Sequence, residues 1–203
     1  MISTQTVVSA VAELAPPELV TDDMINIRPS AVLILLADGA NGAEVLLTRR
    51  SLTVNSHQGE VCFPGGRLDP GEDSRAAALR ETHEEVGVPP EAVTVVGELH
   101  PIGTYVSRSW IVPIVGHVAS PLKLQACTSE VDRVFWVPLH DLTKPGVFRE
   151  EWWPLQAVTG RTDARPIYFF DVANEMVWGA TARMLHQLLR AAHRIEGDEP
   201  PAI

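Results

Sequence analysis

The chain of 203 residues contains few cysteines, few positive charges and no long apolar run. Its two cysteines, Cys62 and Cys127, lie in no Cys-x-x-Cys or His-rich spacing, which argues against a zinc site or redox chemistry. The longest apolar run, residues 31–37, is far shorter than the roughly 20 residues that span a bilayer. Residues 1–19 lack Lys and Arg, which argues against a secretory signal. We therefore expect a cytoplasmic protein with no membrane partner.

Negative charge exceeds positive charge in this chain. There are 26 Asp and Glu residues and 16 Lys and Arg residues, for a formal net charge of -10. This balance repels polyanions, so the sequence predicts no long nucleic acid as a partner. Small anionic substrates are compatible with it, because a bound metal ion and a few arginines can reverse the field inside a pocket.

The composition is typical of a globular protein, since 45% of the residues are hydrophobic and no linker or repeat divides the chain. We predict one domain over residues 1–195, followed by a flexible acidic tail over residues 196–203. The oligomeric state stays open, with a homodimer among the alternatives.

Apolar patterning and turn residues predict the secondary structure. Helices are predicted over residues 4–14, 73–86 and 178–195. Strands are predicted over residues 31–36, 44–48, 60–63, 93–96, 110–118, 134–137 and 166–172. Residues 38–42 are typical of a hairpin turn, and Pro64-Gly65-Gly66 is expected to stop the strand before it.

The predicted helix over residues 73–86 carries a cluster of carboxylates near its end. Asp73 is a good N-cap, and Gly87 is the expected stop. A helical wheel predicts a core-facing stripe made of Ala76, Leu79, His83 and Val86. The opposite face carries three carboxylates, Glu81, Glu84 and Glu85.

These three carboxylates are unfavourable for the helix itself. Their i,i+3 and i,i+4 pairings place like charges side by side, and the C-terminal end of the helix dipole favours cations. One interpretation is a solvated outer face, since exposed carboxylates are common on helices. The other is a site for Mg²⁺ or Mn²⁺, because a divalent cation among hard oxygen ligands would relieve both penalties.

The spacing around this helix resembles the signature of the Nudix hydrolases. The pattern is Gly66, five residues, Glu72, seven residues, then Arg80-Glu81-Thr82-His83-Glu84-Glu85-Val86-Gly87-Val88. Thr82 stands where the family pattern prefers an aliphatic residue. The resemblance implies an α/β protein with the Nudix fold, an α/β/α sandwich with a mixed β-sheet. It also implies hydrolysis of a nucleoside diphosphate linked to another group.

The same resemblance implies roles for individual residues. Glu81, Glu84 and Glu85 are the expected metal ligands, with the carbonyl of Gly66 as a further ligand. Arg80 is expected to pair with Glu72 and to hold the loop against the helix. Structural support is expected from Gly65 and Gly87. The general base is open between Glu81 and the loop carboxylate Glu130.

A second motif precedes the first. Residues 46–51 (Leu-Leu-Thr-Arg-Arg-Ser), Gly59 and residues 63–66 (Phe-Pro-Gly-Gly) resemble the additional motif of coenzyme A pyrophosphatases, and residues 177–185 resemble that subfamily's C-terminal helix. The resemblance implies cleavage of coenzyme A or acyl-coenzyme A to adenosine 3',5'-bisphosphate and (acyl-)4'-phosphopantetheine. The implied substrate contacts are Arg49, Arg50, Ser51, Asn55 and Phe63. The subfamily motif usually has an arginine where this chain has Asn55.

Other interpretations stay open. Within the family, the substrate could be ADP-ribose, NADH or an oxidised nucleoside triphosphate. A different class of function is a non-catalytic module that binds a nucleotide to regulate a partner. Arg49 and Arg50 are interpreted equally well as phosphate ligands and as solvated residues at a strand end.

For two further features the sequence favours a structural role over a functional one. His83 is predicted to pack in the core rather than to act in catalysis, because it falls on the apolar stripe. Trp152 and Trp153 are predicted to be buried rather than to stack on an adenine.

Overall fold

The structure is a computed structural model that describes residues 2–14, 28–54, 56–104, 108–122, 124–154 and 164–196. Asn55 and the predicted tail from residue 197 onward lie outside the described residues. The helices are α1 (Thr4–Ala12), α2 (Ser74–Val86) and α3 (Gly179–Glu196). Within the described residues, none of the helices has the length and apolar character needed to cross a membrane.

A large mixed sheet forms the centre of the molecule. Its strands are β1 (Arg28–Gly39), β2 (Gly42–Arg50), β3 (Val61–Cys62), β4 (Gly65–Arg67), β5 (Thr94–Glu98), β6 (Ile102–Gly103), β7 (Ser109–Val118) and β8 (Val131–Pro138). The main path runs β3-β2-β1-β7-β5, while β4 pairs with β1, β8 with β2 and β6 with β7. Strands β1 and β7 are parallel, whereas the other pairs in the sheet are antiparallel.

A smaller antiparallel sheet follows in the chain. It consists of β9 (Phe148–Pro154), β10 (Ala164–Val172) and β11 (Glu175–Trp178), in the order β11-β10-β9. Two short 3₁₀ helices, Pro90–Ala92 and Leu139–Thr143, connect strands.

Alternate residues of the central strand β1 face two separate cores. Leu33 and Leu35 pack with Ala77 and Ala78 of α2 on one side of the sheet. Ile34 and Leu36 belong to a second core on the other side, which is filled by α1, α3 and the small sheet. Since successive side chains of a strand point to opposite faces, one apolar strand can bury both of its faces in this way. The predicted α/β/α arrangement with a mixed sheet is confirmed.

Most predicted elements are present, and the differences have local causes. Gly65 and Gly66 do not only stop β3, because residues 65–67 form β4 against β1. Strands β6, β9 and β11 were not predicted, since β6 has only two residues and β9 places charged residues and tryptophans in succession. Trp178 ends β11, so α3 begins one residue later than predicted.

Helix α2 begins and ends as its sequence predicts, but its buried face differs from the prediction. The Asp73 carboxylate accepts a hydrogen bond from the Ala76 amide at 2.8 Å, and Gly87 ends the helix in the left-handed region with φ 76°. The buried residues are Ala77, Ala78, Thr82, Glu85 and Val86, whereas Ala76 and His83 are exposed. The buried face of α2 is therefore rotated by about one residue position from the predicted stripe. The small side chains of Ala77 and Ala78 let the helix approach the sheet closely, and the Gly65 amide holds Glu85 on the buried face.

The predicted burial of the tryptophan pair is wrong. Trp152 and Trp153 are 64% and 42% exposed, and both lie on the strand β9 at the border of the small sheet. The Trp153 ring still contacts two aromatic neighbours, with centroids 6.0 Å from Phe169 and 6.5 Å from Trp178.

Candidate active site

Arg80 is the centre of an ion-pair cluster on the first motif. Its Nε and Nη2 donate to the two carboxylate oxygens of Glu72, each at 2.9 Å, and Nη2 also donates to the Arg67 carbonyl at 3.1 Å. Glu72 accepts a further hydrogen bond from the Asp69 amide at 3.0 Å. The Arg80 guanidinium and this amide hold the pKa of Glu72 below its ordinary value. This pairing fastens the loop after β4 to helix α2.

The remaining nitrogen of Arg80 lies between two of the predicted metal ligands. Its Nη1 donates to Glu81 at 3.0 Å and to Glu84 at 3.3 Å. Burial raises the pKa of Glu81, although the Arg80 guanidinium opposes that rise. Glu84 is more exposed than Glu81, because it lies one turn further along the outer edge of the helix.

Glu85 is the buried member of the carboxylate group. It is 8% exposed, and its Oε2 accepts a hydrogen bond from the Gly65 amide at 3.2 Å. Burial raises its pKa to about 7, and the negative charges of Glu81 and Glu130 act in the same direction, whereas the Gly65 amide and Arg50 oppose the rise. The balance of these influences favours the neutral form of the Glu85 carboxyl, and additional positive charge nearby would favour the charged form.

Gly66 provides space for the carboxylate of Glu81. A Cβ at residue 66 would overlap the Glu81 carboxylate, so any larger residue would displace this carboxylate from its present position. Gly66 pairs with Ala31 of the central strand, which fixes the β4 backbone beside α2. The Gly66 backbone and the Glu81 carboxylate are thereby adjacent.

The carboxylates are not assembled into a finished metal-ligand group. Among the residues that the structure describes, no three Asp, Glu, His or Cys side chains are grouped to hold a metal ion. The reason is that Arg80 binds Glu81 and Glu84, while Glu85 turns to the Gly65 amide. The donor chemistry nevertheless fits a hard divalent cation, because the side chains of Glu81 and Glu85 lie beside the Gly65–Gly66 backbone and carboxylate oxygens are hard ligands.

The two adjacent arginines of the second motif have different surroundings. Arg49 donates through Nε and Nη2 to Asp132 and through Nη1 to Glu175, which also accepts from Arg133. Arg50 lies beside Glu130, with Nη2 and Oε2 separated by 3.5 Å. The charge of Arg50 lowers the pKa of Glu85, and the charge of Glu130 raises it. The structure thus brings Arg50, and not Arg49, to the carboxylates.

The other predicted substrate contacts are placed as follows. The Ser51 hydroxyl lies 2.8 Å from the Thr53 hydroxyl and accepts from the Thr53 amide at 3.2 Å, so it stabilises the turn after β2. Phe63 is buried in the core that α1 and α3 share, away from any surface that a substrate reaches. Asn55 lies outside the described residues.

A cavity of about 370 Å³ opens beside Arg50. The described residues that line it come from the end of β2 and the segment after it, and from the turn before β8: Arg50, Thr53, Val54, Ser56, Ser129 and Glu130. Sequence reasoning missed Thr53, Ser56 and Ser129. The two segments are about 80 residues apart, and no local pattern signals that contact.

The turn before β8 is also fastened to helix α2. The Cys127 amide donates to the Glu85 carbonyl at 2.9 Å, and the Ser51 amide donates to the Glu130 carbonyl at 2.7 Å. These two backbone bonds place the turn between the end of β2 and the end of α2. The cavity-lining turn is therefore joined through the backbone to the end of α2 that carries the carboxylates.

Comparison with known proteins identifies the family. Residues 27–164 match the NUDIX domain family. Nudix hydrolase 3 of Caenorhabditis elegans is 36% identical over 185 residues, which cover 85% of this chain and 76% of that protein. An uncharacterized Nudix hydrolase, NudL, of Photorhabdus laumondii is 37% identical over 175 residues, which cover 85% of this chain and 88% of that protein.

Solved structures support the fold. The structure of a C. elegans Ap4A hydrolase binary complex aligns with a TM-score of 0.53 at 19% identity, covering 85% of this chain and all of that chain. A MutT/nudix family protein from Enterococcus faecalis aligns with the same TM-score of 0.53 at 17% identity, over 96% of this chain. The family match spans more than half of the chain and contains both the Arg80 cluster and the cavity. The chain therefore belongs to the Nudix family and is a Nudix hydrolase.

Proposed function

We propose that this Nudix hydrolase cleaves the diphosphate of coenzyme A or an acyl-coenzyme A, giving adenosine 3',5'-bisphosphate and (acyl-)4'-phosphopantetheine. One observation carries the proposal: the second motif and the first motif meet in space. Arg50 and residues of the segment after β2 line a cavity together with Glu130. The charges of Arg50 and Glu130 shift the pKa of Glu85 on helix α2. A diphosphate in that cavity lies next to the carboxylates.

Nudix hydrolases generally depend on divalent cations, and we assign the Mg²⁺ or Mn²⁺ ligands of this chain to Glu81, Glu84, Glu85 and the Gly66 carbonyl. The bound cation supplies neutralisation of the diphosphate oxygens and activation of water. The chain's own contribution is to hold the carboxylate oxygens in position. Gly65 orients Glu85 through its amide, and Gly66 admits Glu81 beside β4.

Arg80 and Glu72 position the ligands. Their double hydrogen bond fixes the loop over residues 67–72, and the third nitrogen of Arg80 limits the rotamers of Glu81 and Glu84. Gly87 ends α2 directly after the carboxylates and lets the chain turn toward the sheet. Preorganised groups of this kind lower the reorganisation needed in the transition state.

Two residues remain candidates for the general base. Glu81 is half-buried with a raised pKa, which makes its carboxylate a better proton acceptor. Glu130 lines the cavity and its side chain is 60% exposed, so water reaches it freely. Sequence position favours neither of them.

Arg50 is the phosphate contact that the geometry supports best. Arg49 has its guanidinium nitrogens bound by Asp132 and Glu175, and Phe63 lies in the core. Ser51 stabilises the turn that shapes the cavity rather than lining it. The planar edge of an arginine matches two phosphate oxygens, which suits a diphosphate.

We also propose that residues 1–195 act as one domain, although the family match covers residues 27–164. Val7 and Val11 of α1 and Leu185 and Leu188 of α3 lie in the same core as the sheet. Removing either helix would expose that core, so both belong to the folding unit.

The test is a substrate panel with Mg²⁺ and with Mn²⁺, followed by product chromatography. The panel contains coenzyme A, acetyl-coenzyme A, ADP-ribose, NADH and oxidised nucleoside triphosphates. We expect coenzyme A or its acetyl ester to have the highest kcat/KM, with adenosine 3',5'-bisphosphate as a product. Cleavage of another member in preference to both would overturn the coenzyme A assignment, and tight binding without cleavage of any member would indicate a regulatory module.

A further inference from the structure

The backbone at the end of β2 aims Arg50 differently from its neighbour. The register between β2 and β8 shifts between Arg49 and Arg50, where Arg49 pairs with Arg133 and Arg50 pairs with Val131. A bulge of this kind re-aims the side chain that follows it. Arg50 is also fixed through its own peptide groups, because its amide donates to Glu60 at 2.9 Å and its carbonyl accepts from Gly59 at 3.1 Å.

The Arg50 side chain is only partly satisfied. Its Nε is buried and has no hydrogen-bond partner among the described residues. Its Nη2 lies 3.5 Å from a Glu130 oxygen, at the limit of a hydrogen bond. A buried donor without a partner is costly, so the guanidinium gains free energy if the side chain turns and Nε reaches an acceptor together with Nη2.

The residues around the cavity beside Arg50 suit an oxyanion. Its lining consists of Arg50, Thr53, Val54, Ser56, Ser129 and Glu130, and three of these side chains carry a hydroxyl group. Hydroxyls can donate to phosphate oxygens, and a guanidinium that turns into the cavity presents Nε and Nη2 as a fork for two oxygens of one phosphate. The one lining group that opposes an anion is the Glu130 carboxylate.

We propose that Arg50 exchanges partners during the reaction cycle: it holds Glu130 in the free enzyme and moves to a substrate phosphate when the cavity fills, which releases the Glu130 carboxylate. The inference rests on the proposed function only in that the substrate carries a diphosphate. Glu130 is thus an internal competitor for Arg50, and the enzyme uncovers a free carboxylate beside the diphosphate only when substrate is present.

The backbone allows this exchange without a loop movement. The Glu130 carbonyl is bound by the Ser51 amide at 2.7 Å, and the neighbouring Cys127 amide is bound to α2. The side chain of Glu130, 60% exposed, rotates away while its main chain stays in place. An exposed ion pair of this kind is weak enough for a phosphate to displace it.

The experiment measures the affinity of inorganic pyrophosphate by calorimetry in EDTA. If Glu130 competes for Arg50, Glu130→Gln binds pyrophosphate about two- to fivefold more tightly than the wild type, since the competing pair no longer forms. Arg50→Gln binds it more weakly, and Arg50→Lys, which keeps the charge but lacks the Nε–Nη2 edge, also binds it more weakly.

The decisive comparison is a double-mutant cycle. In the Arg50→Gln background, Glu130→Gln should no longer tighten pyrophosphate binding, because that background has no Arg50–Glu130 pair to remove. Glu150→Gln, on the exposed face of β9, is the matched control for the removal of one negative charge, and Arg190→Lys on α3 is the control for the arginine change. An equal tightening by Glu130→Gln with and without Arg50, or one no larger than that of Glu150→Gln, overturns the proposal.

Turnover distinguishes this inference from the substrate assignment. With whichever panel member is cleaved, Arg50→Lys should raise KM more than it lowers kcat, whereas a merely structural role would lower the folded fraction and leave KM unchanged. If coenzyme A is not cleaved but the pyrophosphate cycle holds, the substrate assignment fails alone. If coenzyme A is cleaved and the cycle shows no coupling, the exchange fails alone. Glu130→Gln tests the exchange even where Arg50→Gln is too unstable to purify.

Discussion

Two arginines lie near the carboxylates of helix α2, and they differ in how many of their hydrogen-bond donors have acceptors. Arg80 donates through all three of its nitrogens, to Glu72, Glu81, Glu84 and the Arg67 carbonyl. Arg50 has one long contact with Glu130 and a buried nitrogen without a partner in the described part of the chain. Within the described residues, every guanidinium donor of Arg80 has an acceptor, whereas Arg50 has a donor without one.

The difference separates a structural role from a ligand-binding role. A saturated guanidinium fixes the groups around it and has no free donor to offer a substrate. An unsaturated guanidinium at a cavity does little for the free protein but gains from an incoming anion. Glu85 is influenced by both regions, because the charges of Glu81 and Glu130 raise its pKa and the charge of Arg50 lowers it. Changes at these residues therefore test the comparison directly.

The largest effect is expected at the carboxylates themselves. Glu84→Gln and Glu85→Gln should each lower kcat by about 10²- to 10³-fold in saturating Mg²⁺, since each removes a charged ligand whose role is in the transition state. Steady-state kinetics on the best panel substrate measure it. Thermal melts in EDTA should show stability unchanged for Glu84→Gln and unchanged or raised for Glu85→Gln, because like-charge repulsion and the burial of a charge are relieved. Full turnover in both variants would contradict the ligand assignment.

The next effect is a pH dependence of stability in the metal-free protein. Because the folded-state pKa of Glu85 is raised from 4.5 to about 7, the folded chain keeps a proton that the unfolded chain loses. The contribution of Glu85 is fully favourable below about pH 4.5 and is lost as the pH rises through about 7, by roughly 3 kcal/mol. Urea denaturation in EDTA across this range measures it. Glu85→Gln should remove this component, and Mg²⁺ should reduce it; a slope that Glu85→Gln leaves intact would assign it to other groups.

The smallest effect compares the two arginines by the same substitution. Arg80→Lys should lower the Tm in EDTA by about 3–6 °C, since lysine cannot replace the double hydrogen bond to Glu72 together with the bond to the Arg67 carbonyl. Arg50→Lys should lower the Tm by less than about 1 °C, because its pair with Glu130 is long and exposed. Differential scanning calorimetry at one pH measures both. Equal shifts would mean that Arg50 is as structural as Arg80, and the comparison would fail.

Local sequence signals predicted the parts of the site that depend on neighbouring residues. Asp73 and Gly87 bound α2 as predicted, because capping is decided within four residues. The pairing of Arg80 with Glu72 was implied by the family spacing and is present at 2.9 Å. The hairpin of β1 and β2 likewise follows from the turn residues between them.

The features that sequence did not predict depend on tertiary contacts. The helical wheel placed charged groups outside and so missed the burial of Glu85, which is held by an amide of a strand that patterning did not predict. Nothing near Arg50 in sequence indicates Glu130, because the contact depends on how β8 returns to β2. Thr82, where the family prefers an aliphatic residue, is buried without cost to its hydroxyl, which donates to the Ala78 carbonyl at 2.6 Å.

The parallel pairing of β1 with β7 affects the order in which the site assembles during folding. It joins residues 28–37 to residues 109–118, so it closes a loop of roughly 80 residues that contains both motifs and α2. A contact of such sequence separation forms slowly, whereas a helix forms in about a microsecond or less. The helical conformation of α2 can therefore form early, whereas Glu85 becomes buried only after the strands beneath it have paired. The raised pKa of that residue is consequently a late event, which a protonation-sensitive probe could use to time the closing of the sheet.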